Sequence, residues 1–142
     1  MNSGAEAVET ALKMARLWGH KVKGLADGEQ EIICFEENFH GRTISIVSFS
    51  TDEQYRDGFG PFTPGFVIAD YGDIDDLESK IGPNTAAFLV EPIQGESGIV
   101  VPPEGYLKEA ERLCRQHGAL LIVDEIQSGL GRSGKLFAYE YD

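Results

Sequence analysis

The chain has 142 residues and 15.6 kDa, one domain's worth of material, and at 42% hydrophobic and 25% charged it is too apolar to be disordered. Twelve basic residues against 24 acidic ones leave a formal net charge of −12, which argues against nucleic-acid or anionic-membrane partners because both need a basic face. No apolar run approaches the roughly 20 residues of a membrane helix. The N-terminus lacks both the basic and the apolar part of a secretory signal, and two cysteines, Cys34 and Cys114, are too few for a disulfide framework. A soluble, cytoplasmic protein from a reducing compartment is expected.

Glu6 to Trp18 carries Ala7, Val8, Ala11, Leu12, Ala15 and Trp18 as a helical stripe, with Asn2 or Ser3 as its N-cap. Glu31 to Phe35 (EIICF) reads as a short buried strand, and Thr43 to Phe49 (TISIVSF) is open between helix and strand. Tyr55 to Phe66 is a loop rich in Gly, Pro and aromatic residues. Phe66 to Ala69 is then a strand, Ile74 to Ile81 a short helix and Ala86 to Val90 a strand; Glu104 to His117 is an amphipathic helix, followed by a strongly apolar strand over Ala119 to Val123. No closing strand or helix follows at Tyr139 to Asp142, and the chain reads as a piece of a longer protein.

Apolar strands alternating with amphipathic helices indicate an α/β fold with a mainly parallel sheet flanked by helices. Ligands of such sheets lie beyond the carboxyl ends of the strands. Two strands end there in acids: Val90 runs into Glu91, and Val123 into Asp124-Glu125.

Gly129-Leu130-Gly131-Arg132-Ser133-Gly134-Lys135 matches phosphate-loop patterns by letter, but Leu136 replaces the magnesium-binding hydroxyl and two carboxylates precede it, so a glycine-rich turn is the better reading. His20, His40 and His117 show no ligand spacing and read as surface or packing residues, and no metal site is expected. Cys34 and Cys114 read as small core residues. Asp124 is either a cap on the next turn or a carboxylate for a buried cationic group, such as the protonated ring nitrogen of pyridoxal phosphate. Within Asn38-Phe39-His40-Gly41-Arg42-Thr43, Phe39 and Arg42 are either a turn's packed ring and solvated charge or a stacking surface and a carboxylate fork. Ser3, Gly4 and Ala5 at a helix start offer free N–H groups to an anion.

Met1 to Glu9, Asn38 to Thr43, Val90-Glu91-Pro92-Ile93-Gln94-Gly95-Glu96 and Asp124 to Arg132 resemble, in order and over the whole chain, the class III aminotransferases, which are fold-type-I pyridoxal-phosphate enzymes. The resemblance implies that residues 1–142 are part of the cofactor-binding large domain. It implies that Ser3, Gly4 and Ala5 hold the cofactor phosphate, Phe39 stacks on its ring, Asp124 pairs with the ring nitrogen and acts in catalysis, Gln127 bonds the ring hydroxyl, and Glu91 supports the pocket floor. By the same resemblance Arg42 binds a substrate carboxylate, and Glu96 is the acid that pairs with a distal arginine during 2-oxoglutarate recognition. His40 departs from relatives that carry Trp there.

Asp57 to Phe66 points to members that move the δ-amino group of ornithine to 2-oxoglutarate, giving glutamate 5-semialdehyde and glutamate, as homodimers with the active site at the interface. Acetylornithine or another ω-amine, or a non-catalytic module on the same fold, are the alternatives. The family's Schiff-base lysine is expected beyond Asp142. None of Lys13, Lys21, Lys23, Lys80, Lys108 and Lys135 replaces it, because all are expected in wet settings that cannot depress a lysine pKa. The 142 residues alone are therefore expected to be inactive.

Overall fold

The computed structural model describes residues 1–142. Four strands, β1 (Glu31–Phe35), β2 (Phe66–Ala69), β3 (Thr85–Val90) and β4 (Leu120–Val123), form one parallel sheet in the order β2-β1-β3-β4. Side chains alternate across it as the strand period demands. Ile33, Phe35, Phe88 and Val90 face one side, Ile32, Cys34, Ala87 and Leu89 the other, and all eight are buried. Such double-sided burial is why these strands read as continuous apolar runs.

One face is covered by α4 (Ile74–Lys80) and α5 (Tyr106–His117), through Leu77, Leu107, Ala110, Leu113 and Cys114. The other is covered by α1 (Gly4–Trp18) and α2 (Ile44–Val47), through Val8, Leu12, Ala15 and Ile46, with Phe49 beside them. Burying Val8 and Leu12 alone contributes about 3–6 kcal/mol. Ser3 is the N-cap of α1: its hydroxyl accepts from Glu6 N–H at 3.3 Å, and the Glu6 carboxylate accepts from Asn2 and Ser3 N–H. After α1 a single π-helical turn (Gly19–Lys23) carries the Lys23 amine to the Thr85 and His117 carbonyls, at 2.6 and 2.9 Å.

One open reading is settled and three expectations change. Thr43 to Phe49 resolves into the helix α2, because the Thr43 hydroxyl caps Ile46 N–H and Ile46 and Val47 turn into the core. A further short helix, α3 (Glu53–Arg56), occupies the start of the expected loop, capped by Asp52. Helix α5 begins at Tyr106 rather than Glu104, since Gly105 sits at φ 82, outside helical space. The C-terminus is closed by a 3₁₀ turn, Ala138–Tyr141, and the Asp142 carboxylate beyond it accepts from Gly105 N–H and, at 2.5 Å, from Leu107 N–H.

The connection from β1 leads to β2 on one side, and the chain then returns across β1 to place β3 and β4 on the other. The order therefore reverses between β1 and β3, which opens a crevice at their carboxyl ends.

Candidate functional site

That crevice contains a cavity of about 430 Å³, lined by Gly4, Ala5, Phe39, Glu91, Glu96, Asp124 and Gln127 together with His40, Gly41 and Ile126. Seven of the nine expected site residues thus converge from four segments: the start of α1 and the stretches after β1, β3 and β4. Ser3 and Arg42 do not line it. A larger hollow, about 910 Å³, lies over the exposed loop around Arg56 and Phe62, but it is walled by side chains open to water.

Two glycines allow the convergence. A Cβ on Gly4 would lie 2.9 Å from the Ile126 side chain, and one on Gly41, at φ 125, would lie 3.0 Å from the Ala5 Cβ. Any larger residue would push α1 away from the other two walls. The capping box engages the amides of Asn2 and Ser3, so the Gly4 and Ala5 N–H groups are the ones that α1 leaves open toward the cavity.

Asp124 meets the first of its two readings, a cap on the next turn. Its Oδ1 accepts from Ile126 N–H at 3.0 Å, capping the following turn. Its Oδ2 lies 2.6 Å from His40 Nδ1, with the two side chains 7% and 0% exposed. A carboxylate has about four acceptor directions, so it can take a further donor from the cavity side. His40 is a buried, packed histidine, its ring centroid 5.9 Å from that of Phe49, and it also lines the cavity. Its other ring nitrogen, Nε2, is buried without a partner.

Glu91 fixes the neighbouring segment. Its Oε1 accepts from Phe39 N–H at 2.9 Å, and its backbone carbonyl accepts from the Tyr71 hydroxyl at 2.8 Å. Asn38 donates to the carbonyls of Phe35 and Phe49, at 2.6 and 3.0 Å. Desolvation raises the Glu91 pKa above its ordinary value; the Phe39 amide and His40 oppose the shift, and the Asp124 charge adds to it. The Phe39 ring is thereby held as one wall of the cavity.

Arg42 is exposed, with its guanidinium carbon 5.4 Å from the Phe39 ring centroid and 5.2 Å from that of Tyr55. It makes no hydrogen bond or ion pair, whereas Arg16, Arg56, Arg112, Arg115 and Arg132 all donate to a carbonyl or a side-chain oxygen. Glu96 is exposed at the cavity rim and is likewise unpaired.

Residues elsewhere offer little chemistry. Cys34 is fully buried, which pushes its thiol well up, and burial pushes Cys114 up to about 12, so neither supplies a thiolate. Gly129 to Lys135 forms successive turns, and no helix starts there to receive a phosphate. Lys23 is not in a wet setting: it is partly buried, and desolvation lowers its pKa. It lies at the amino end of β3, however, opposite the cavity, and no lysine lines the cavity itself.

A parallel sheet with helices on both faces and a carboxylate-bearing crevice at its switch point defines a ligand-binding α/β domain. The chain belongs to the class-III aminotransferase family, whose model matches residues 1–142. An ornithine aminotransferase of Exiguobacterium sp. is 61% identical over 142 residues, covering 100% of this chain and 35% of that protein. The solved ornithine aminotransferase of Toxoplasma gondii superimposes with a TM-score of 0.99 at 52% identity, over 100% of this chain and 34% of that one. An acetylornithine aminotransferase from Elizabethkingia anophelis is 55% identical with a TM-score of 0.80, over 99% of this chain and 34% of that one. The chain thus spans about a third of the length of these relatives.

Proposed function

We propose that these residues form the cofactor-binding part of a pyridoxal-phosphate-dependent aminotransferase that moves the δ-amino group of ornithine to 2-oxoglutarate. The observation that carries the reading is Asp124, a nearly buried carboxylate held by His40 and turned to a cavity that also presents a flat ring and two free helix-terminal amides. The donor set fits the cofactor: an acid for a pyridinium nitrogen, an aromatic face for a heteroaromatic ring, an amide side chain for a ring hydroxyl, and N–H groups at a helix start for a phosphate. The relative from Toxoplasma gondii contains this cofactor at partial occupancy in its active site.

Pyridoxal phosphate would supply an electron sink that lets an amino group leave one substrate carbon and pass to another. Asp124 would keep a proton on the ring nitrogen, and His40 would orient that carboxylate. Phe39 would stack on the ring, its backbone fixed by Glu91, and Gln127 would bond the ring hydroxyl. Gly4 and Ala5 would bind the phosphate, with Ser3 fixing the helix start. Arg42 would take a substrate carboxylate through its unengaged donors, and Glu96 would pair with an arginine from outside these residues. The required lysine would also come from outside them, so the 142 residues alone would be inactive. The family resemblance further supports a cytoplasmic homodimer with the site at its interface.

The test is cofactor binding and donor choice in the full-length protein. Added cofactor should give a visible absorbance band, and Asp124→Ala should abolish turnover while the protein stays folded. Near-normal turnover in that variant would reduce Asp124 to a turn cap. A donor panel distinguishes ornithine from acetylornithine, the second reading, which the relative from Elizabethkingia anophelis supports.

A further inference from the structure

Tyr55 sits on α3, at a position that the sequence shows only as part of an aromatic loop. Its ring centroid lies 5.8 Å from that of Phe39, and the Arg42 guanidinium carbon stands over both rings at 5.2 and 5.4 Å. Both separations are inside the roughly 6 Å within which a cation is drawn to an aromatic face. A guanidinium binds rings through its flat faces and carboxylates through its edge, so the two contacts do not compete. Both rings lie within reach of the Arg42 guanidinium, and none of its N–H donors is engaged elsewhere. Phe39, Tyr55 and Glu96 also line a small hollow of about 60 Å³ that shares Phe39 and Glu96 with the main cavity. The aromatic seat is therefore continuous with the proposed site.

We propose that Tyr55 is a positioning residue for substrate selection: with Phe39 it holds the Arg42 guanidinium by its faces, so that its donors meet a substrate α-carboxylate without first being ordered. The inference rests on the reading of Arg42 as the carboxylate receptor. Because Phe39 is shared with the cofactor site, Tyr55 is the member of the seat whose removal acts on carboxylate binding alone. Its hydroxyl makes no hydrogen bond, so the ring is what matters.

The experiment compares Tyr55→Leu, Tyr55→Phe and Arg42→Ala in the full-length, cofactor-loaded protein. Calorimetry gives the Kd of norvaline, which keeps the α-carboxylate of ornithine but lacks the δ-amine, and kinetics give KM and kcat for ornithine and for a simple monoamine. Tyr55→Leu should raise the norvaline Kd and the ornithine KM about two- to five-fold, the worth of an exposed cation–π contact. It should leave kcat, cofactor affinity and the monoamine unchanged, and Tyr55→Phe should match the parent protein. If Arg42→Ala weakens norvaline while Tyr55→Leu does not, the seat is wrong and the reading of Arg42 stands. If Arg42→Ala leaves norvaline binding intact, the reading of Arg42 falls and the role of Tyr55 falls with it. Equal losses for ornithine and the monoamine in Tyr55→Leu would show a general packing defect and overturn the proposal.

Discussion

His40 Nδ1 and Asp124 Oδ2 meet at 2.6 Å across 84 residues of sequence, joining the segment after β1 to the end of β4. The contact is almost dry, so losing it strands a carboxylate away from water. His40→Phe should lower the unfolding free energy of the cofactor-free, full-length protein by about 1–3 kcal/mol. His40→Asn, which keeps a donor on a shorter arm, should recover part of that. Denaturant titration checks both, and an unchanged midpoint in His40→Phe would show that the pair does not contribute to the fold.

Arg42 is the chain's one unengaged guanidinium, and its fork matters if it receives a carboxylate. Arg42→Lys keeps the charge and loses the bidentate edge. Ornithine affinity should fall by about 1–3 kcal/mol, while a monoamine with no carboxylate should lose much less. Measuring both donors on one variant decides the matter, since equal losses would make Arg42 structural.

Glu91 gives a pH signature. Its folded-state pKa is raised above the ordinary 4.5, chiefly by burial. The native protein therefore holds this proton over a range in which the unfolded chain has released it. Where the native state binds more protons, stability falls as pH rises. The loss begins near 4.5 and is complete once pH passes the raised native value. Glu91→Gln keeps an acceptor for Phe39 N–H and has no proton to lose. As pH rises through and above the ordinary 4.5, wild type should thus lose stability relative to the glutamine variant. A parallel pH dependence in the two proteins would mean that Glu91 titrates as an exposed acid.

Asp142 acts as the N-cap that Gly105 cannot be, because glycine has no side chain to accept from the first amides of α5. Asp142→Ala should destabilise the protein by about 0.5–2 kcal/mol, measured by thermal or denaturant unfolding. Asp142→Asn should cost less, since one amide oxygen still accepts. No change in either variant would show that water caps α5 equally well.

The regular elements were legible because the apolar period was strong. EIICF and ALLIV read as buried strands, and the stripe from Ala7 to Trp18 as a helix. The short helices were not. TISIVSF has β-branched residues that suit a strand, and only the Thr43 cap and the burial of Ile46 decide for α2. Asp52 was a readable cap for α3, masked by the glycines and aromatics that follow. At the site, the acids after β3 and β4 were visible as chain positions. The partnership of His40 with Asp124 was not, because it depends on β1 and β4 lying on either side of β3. The seat formed by Tyr55 was hidden for a similar reason: cation–π geometry leaves no spacing pattern.

At the opposite pole, one amine binds three elements. Lys23, on the π turn after α1, donates to the start of β3 and to the last carbonyl of α5. A cation there also complements the negative end of the α5 dipole. The two helices that cover opposite faces of the sheet are thereby riveted to one point, remote from the cavity. Movement of α1 relative to α5 would then be a swing about that point. Its largest displacement falls at the far end of α1, where Gly4 and Ala5 face the crevice, so the cavity-facing amides are the part of the helix that such a swing would move most.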